Sequence, residues 1–156
     1  MKLINLKLTD YRNCRNIEID FSRGKILIIG KNAQGKTNIL ESIYFLSTLK
    51  SPRTSNNIEL INFDAEKLCI EADIIKADTE IGLGYIYTKE KTRELKINGV
   101  KSRPKDFKSV LKTVLFSTSD LLLLRGNPSD RRDWLDRAIS QVYPAYDDRL
   151  SKYDKI

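Results

Sequence analysis

The side chains best placed to do chemistry lie in one run: Gly30, Lys31, Asn32, Ala33, Gln34, Gly35, Lys36, Thr37 and Asn38. Gly30, Gly35, Lys36 and Thr37 satisfy the spacing G-x-x-x-x-G-K-[ST]; the apolar residues 26–29 lead in, and helical periodicity over residues 38–49 leads out. A polyphosphate must be wrapped closely by backbone N–H groups, and a Cβ at the bends would obstruct that approach, which is the use of the two glycines. The loop then delivers the phosphates to the first turn of a helix, where unpaired N–H groups and the positive end of the macrodipole favour an anion. Lys36 adds a full charge toward the β- and γ-phosphates, and the Thr37 hydroxyl is placed to ligate a magnesium ion that keeps most of its waters. The pattern implies ATP and Mg2+ as ligands. A chance glycine-rich turn is the alternative, and the ordered strand, loop and helix argue against it.

The elements that must position this loop can be read on either side of it. Residues 2–8 and 17–21 alternate as two strands around a break at residues 9–15, and Ser22-Arg23-Gly24-Lys25 is a turn, so residues 25–29 become a third strand in a mixed sheet. The helix after the loop carries Ile39, Leu40, Ile43, Tyr44, Leu46 and Leu49 on one broad apolar face and ends near Lys50, ahead of Pro52. An antiparallel meander is expected over residues 66–102, with Asn98-Gly99 as a turn. Residues 104–112 read as a short helix with Phe107, Val110 and Leu111 inward, and residues 114–116 as a short buried strand running into Ser117-Thr118-Ser119-Asp120. After residues 121–124 and the Gly126-Asn127-Pro128 break, Ser129 and Asp130 can cap a helix with Trp134, Leu135, Ala138, Ile139 and Val142 on one side, and a further helix is expected over residues 146–156.

Composition removes several classes of function. The chain has 156 residues, 40% hydrophobic and 31% charged, in keeping with a globular domain, and no apolar run long enough for a membrane helix or a signal peptide, so a cytoplasmic protein is expected. There is no histidine, which excludes Ser-His and Cys-His nucleophiles and the usual mixed metal sites. Cys14 and Cys69 are too isolated for a disulfide framework or a zinc knuckle and are expected as inert thiols. The 28 Lys and Arg against 21 Asp and Glu leave +7, enough to attract a polyanion if the charges share a face.

Taken together, the runs Leu6-Lys7-Leu8-Thr9-Asp10-Tyr11-Arg12-Asn13, Leu46-Ser47-Thr48-Leu49-Lys50-Ser51-Pro52-Arg53-Thr54 and Pro128-Ser129-Asp130-Arg131-Arg132, with the phosphate loop, resemble the RecF family of recombination mediators. That family belongs to the ABC-type ATPases that also include the SMC proteins. The resemblance implies an α/β fold, the N-terminal lobe of an ABC-type P-loop ATPase. A mixed sheet surrounds the P-loop helix and carries an antiparallel β-subdomain. The P-loop lobe would occupy residues 1–65 and 103–127, the β-subdomain 66–102 and the start of a helical arm 128–156, with the signature and Walker B motifs outside the chain.

The resemblance also implies that Arg12 and Asn13 sit over the nucleotide, that single-stranded and gapped or duplex DNA is the partner in repair, recombination, replication restart and the SOS response, and that ATP drives homodimerisation of the full-length protein. Recombination-mediator partner proteins are implied as well. Arg131 and Arg132 fit phosphate contacts or a surface network with Asp133 and Asp136, and Lys50, Arg53 and Lys101 are weaker DNA candidates. Ser119 stands where relatives carry an acidic residue, and Pro52 where they often carry His or Phe. No catalytic base is found, so weak ATPase activity is expected of the full-length protein and none of this lobe alone. Two rivals are a degenerate lobe that binds DNA or protein without nucleotide, against which Lys36 and Thr37 argue, and a small-molecule kinase, which expects a parallel sheet where this chain has a meander.

Overall fold

Two-residue turns set the architecture. The computed structural model describes residues 1–117, 120 and 127–153, in two units, Met1–Leu111 and Lys112–Ile156. In the first, β1 (Lys2–Tyr11) and β2 (Cys14–Asp20) form a hairpin whose turn is only Arg12 and Asn13, much tighter than a break over residues 9–15. The other edge of β1 pairs with β3 (Lys67–Lys76), and β4 (Thr79–Thr88), β5 (Arg93–Ile97) and β6 (Val100–Lys101) continue as the expected meander, in the order β2-β1-β3-β4-β5-β6. At the Ala77-Asp78 and Asn98-Gly99 turns both central residues have positive φ (48° and 61°, 51° and 77°), the sense that suits the twist of a tight hairpin. Asn98-Gly99 announces such a turn; Ala77-Asp78 does so without glycine.

The alternation then sorts the sheet faces. Leu6, Leu8, Leu68, Ile70, Ile74, Leu83, Tyr85 and Leu95 are buried on one, while Lys7 and Glu71 pair across the other at 4.0 Å, an exposed contact of small energetic value. Residues 25–29 depart from expectation and belong to no strand: Ile26, Leu27 and Ile29 are exposed, and only Ile28 packs against the core. β-type residues become a strand only where a neighbour satisfies their backbone groups, and among the described residues these find none. With that segment outside the sheet, every ladder among the described residues is antiparallel.

In the second unit, residues 114–116 form no strand, and Val114 and Phe116 are exposed rather than buried. Helix α3 (Pro128–Val142) begins one residue before the expected cap, with Pro128 in its first turn and Asn127 N donating to Asp130 Oδ2 at 3.1 Å. Trp134, Leu135 and Val142 remain exposed on it. The last helix, α4 (Pro144–Tyr153), is tied to it by Tyr146 Oη donating to Asp136 Oδ1 at 2.6 Å. Thr118, Ser119 and residues 121–126 lie outside the described residues, and so do 154–156 of the expected final helix.

Helix α1 (Lys36–Thr48) carries the site and lies on the apolar face of the sheet. It stops at Leu49, whose left-handed φ of 56° lets its N–H reach Phe45 O at 2.7 Å, so termination precedes Pro52. The buried face is Ile39, Ser42, Phe45 and Leu46, with Asn38 and Glu41 also turned inward, whereas Leu40 is exposed. The purely apolar stripe expected from the sequence is therefore rotated, because two polar side chains find partners inside. Helix α2 (Pro104–Lys108) and the residues after it close the core with Phe107, Val110 and Leu111. Phe45 packs edge-on against Tyr85 with ring centroids 4.8 Å apart, and both are fully buried. Phe45→Ala should destabilise the first unit by about 3–5 kcal/mol through lost burial and a residual cavity. Urea unfolding measures this, and a loss below about 1 kcal/mol would show that α1 is not anchored there.

Candidate nucleotide-binding site

The loop ahead of α1 owes its shape to two left-handed residues, Ala33 (φ 63°) and Gly35 (φ 92°), the second being the residue that opens the helix. A Cβ on Gly35 would lie 2.9 Å from Asn13 Oδ1 and 3.2 Å from Cys14 Sγ, so glycine is required by φ and by packing alike. At Gly30 a Cβ would meet only Lys36 Cδ, at 3.9 Å, so the surrounding protein alone does not demand glycine there. Lys36 folds back across the loop, its Nζ donating to Gly30 O and Lys31 O at 2.6 Å each. Lys31, Asn32, Ala33 and Gln34 are exposed, as is Thr37, whose hydroxyl makes no hydrogen bond among the described residues.

The β1–β2 turn braces this loop from below. Asn13 Nδ2 donates to Ala33 O at 2.9 Å, and Asn13 Oδ1 accepts from Asn38 Nδ2 at 2.7 Å, so one side chain joins the hairpin, the loop and the first turn of α1. Asn38 Oδ1 accepts in turn from Arg53 Nη1 at 2.6 Å. Cys14 is buried beneath Gly35, and burial pushes its thiol above the ordinary range, in keeping with an inert packing residue. Cys69 is half-buried and likewise free, its thiol also raised by burial.

Arg12 is committed elsewhere. Its Nε and Nη2 donate to the two oxygens of Glu41 at 2.6 and 2.7 Å, and its Nη1 donates to Glu59 O at 3.3 Å. Glu41, 1% exposed, also accepts from Ser51 Oγ at 2.6 Å and from Arg53 Nη1 at 3.3 Å. Burial alone would raise this carboxyl; the hydrogen bonds from Arg12 and Ser51 and the charges of Arg12 and Arg53 outweigh it and hold the group below the usual carboxylate range. The guanidinium of Arg12 is raised chiefly by its hydrogen bonds to Glu41.

The structure thus brings Asn13, Asn38 and residues 30–37 together, and pairs Arg12 with Glu41 on the buried face of α1. Lys50, Lys101, Arg131 and Arg132 are exposed, and neither Arg131 nor Arg132 forms an ion pair among the described residues. Sequence reasoning missed Glu41, Ser51 and the structural use of Arg53. The available signal was a lone carboxylate on the face shared by Ile39, Ser42 and Phe45.

Because Glu41 is held ionised below its unfolded value, its contribution to stability is complete above the ordinary glutamate range, about pH 4.3, and is lost as pH falls through the depressed native value. Glu41→Gln leaves Arg12 without its counter-charge and should lower stability by about 3–5 kcal/mol at neutral pH while flattening this acid limb. Urea titrations between pH 3 and 7 test both; an acid limb unchanged in the variant would assign it to other carboxylates.

The description "AAA ATPase domain" fits residues 1–131. The RecF DNA replication and repair protein of Bacillus subtilis is 41% identical over 157 aligned residues, and that of Natranaerobius thermophilus 38% over 158; they are aligned over 100% and 99% of the chain but only 42% and 41% of their own length. The solved structure of the recombination mediator protein RecF-ATP in the RecFOR pathway superposes with a TM-score of 0.90 at 33% identity, over 99% of this chain and 42% of that one. An SMC ATPase structure shares the fold, with a TM-score of 0.73 at 19% identity over 87% of this chain and 98% of its own. The hairpin-braced loop ahead of α1 is thus found in its family setting: the chain belongs to the AAA ATPase domain family, and within it corresponds to the N-terminal part of RecF DNA replication and repair proteins.

Proposed function

We propose that this chain is the ATP-binding lobe of a RecF-type recombination mediator, with the phosphates lying across residues 30–37 and the N-terminus of α1. The observation that carries the reading is the conformation of the loop, left-handed at Ala33 and Gly35, with Lys36 held over the carbonyls of Gly30 and Lys31. Phosphate oxygens offer the ammonium a stronger, charge-assisted partner than neutral carbonyls do, so binding exchanges two bonds within the loop for bonds to the ligand. The RecF-ATP relative supports ATP as that ligand.

A magnesium ion fits the same reading. The Thr37 hydroxyl is exposed and unengaged, and no group of three acidic, cysteine or histidine side chains converges among the described residues. That donor set suits an ion held by one hydroxyl, the phosphates and water. It neutralises phosphate charge when bound. Asn13 and Asn38 hold the loop from beneath, and Arg12 serves as a positioning residue through Glu41.

Glu41 is bound to Arg12, Arg53 and Ser51 and is therefore unsuited to activating a water. In this reading, as the family resemblance implies, hydrolysis and the ATP-dependent homodimerisation of full-length RecF-type proteins draw on residues beyond this lobe. So does docking of other recombination mediators. DNA binding, to single-stranded and to gapped or duplex forms, is electrostatic in this account and rests on the net charge of +7. The cellular roles that follow are repair, recombination, replication restart and the SOS response, in the cytoplasm.

Lys36→Ala should weaken Mg-ATP binding at least tenfold, since a charge-assisted hydrogen bond contributes about 1.5–3 kcal/mol. Calorimetric titration measures it, and equal affinities in the two proteins would remove the reading. DNA affinity, followed by fluorescence anisotropy on two unrelated duplexes, should fall steeply between low and physiological salt and be the same for both sequences. Salt-insensitive binding, or strong preference for one sequence, would contradict the electrostatic account.

A further inference from the structure

Phe63 is 94% exposed and is the one exposed aromatic residue of the first unit. A single surface apolar side chain needs no explanation of its own, so its position must carry the argument. Residues 60–64 run alongside the β1–β2 turn and are fastened to it throughout. Arg12 N donates to Leu60 O and Asn62 N donates to Asp10 O, both at 2.7 Å. The Asn62 side chain donates to Arg12 O, and Arg15 Nη2 pairs with Asp64 Oδ2 at 2.6 Å. This same turn touches the phosphate loop, through Asn13 Nδ2 on Ala33 O at 2.9 Å. Phe63 therefore follows directly on a residue bonded to the peptide between Arg12 and Asn13.

Its backbone is also fixed. Asn62 is buried and its Oδ1 accepts from Asp64 N at 3.2 Å, while Ala65 N donates to Asn62 O at 3.0 Å, so Phe63 stands at the apex of a closed turn. An aromatic ring is thus held out into solvent by a turn bonded to the same hairpin whose Asn13 touches the loop. A nucleotide whose phosphates fill the loop must project its base away from those amides, over neighbouring surface, and a planar base gains by stacking on an aromatic ring.

Resting on the proposed ATP site, we infer that Phe63 is the base-stacking residue of that site: its ring forms one face of the base-binding surface and separates nucleotides from base-free polyphosphates. The turn at residues 62–65 positions it, through Asn62 and the Arg15–Asp64 pair. No bond is made or broken.

The test compares Mg-ATP with magnesium tripolyphosphate, which offers the loop the same phosphates without a base, by calorimetry on the chain and on Phe63→Ala and Phe63→Trp. Phe63→Ala should weaken ATP roughly 5- to 100-fold, the range expected for one base on one aromatic ring, and leave tripolyphosphate unchanged. Phe63→Trp should keep ATP affinity within about threefold, and its indole fluorescence should be quenched by ATP and not by tripolyphosphate. Since the ring is exposed, neither change removes core packing; circular dichroism verifies this. ATP affinity unchanged in Phe63→Ala, or tripolyphosphate weakened as much as ATP, would overturn the assignment while leaving the phosphate site standing. Failure of the unsubstituted chain to bind either ligand would overturn both.

Discussion

A single buried carboxylate ties the site together. Glu41 sits at the interface of helix and sheet, 1% exposed, and a charge there is tolerable only if every lone pair is used. Arg12 from the hairpin turn, and Ser51 and Arg53 from the segment after α1, supply those partners. Three parts of the chain are drawn to one point, and the turn that meets Glu41 through Arg12 meets the phosphate loop through Asn13. Arg12 adopts a left-handed φ of 52°, a conformation that a side chain other than glycine adopts only where its surroundings enforce it. The ion pair and the backbone bonds to Leu60 and Asn62 together hold it there, and the turn in turn places Asn13 under Ala33.

A helix N-terminus and a run of loop amides can hold phosphate only if the loop keeps its concave shape without the ligand. Here the shape is kept from beneath, by Asn13, Asn38 and the packing of Cys14 against Gly35, and from above by Lys36 across Gly30 and Lys31. On the proposed reading, a ligand would displace only the second set. Arg53 belongs to both networks, bonding Asn38 and Glu41 of α1, so one guanidinium from the segment after the helix joins the loop's support to the buried carboxylate.

Much of this was legible in the residues. The motif marked the loop that opens α1, and strand alternation located β1, β2 and the meander, because each period-2 pattern reports one buried face. Asn98-Gly99 named its turn for the same local reason. What could not be read is tertiary. Residues 25–29 have strand composition, yet whether they pair depends on a ladder partner and not on themselves. The apolar stripe of α1 predicted the wrong rotation, since Leu40 and Tyr44 count as hydrophobic in any pattern, while Glu41 enters the core only because Arg12, Ser51 and Arg53, from 10 to 29 residues away, meet it there. Arg12 stood out for its place beside Asn13, but its pairing with Glu41 could not be read, because a sequence shows a guanidinium without showing the carboxylate it faces.

The central claim is that nucleotide phosphates settle on a loop whose support is the hairpin turn. Amide hydrogen exchange with and without Mg-ATP addresses this directly, because it reports each segment separately. The account predicts added protection at residues 30–38, with smaller protection at residues 11–14 that share bonds with the loop, and no change in β4, β5 and β6. Protection centred on the meander, or none at residues 30–38 under saturating nucleotide, would contradict it.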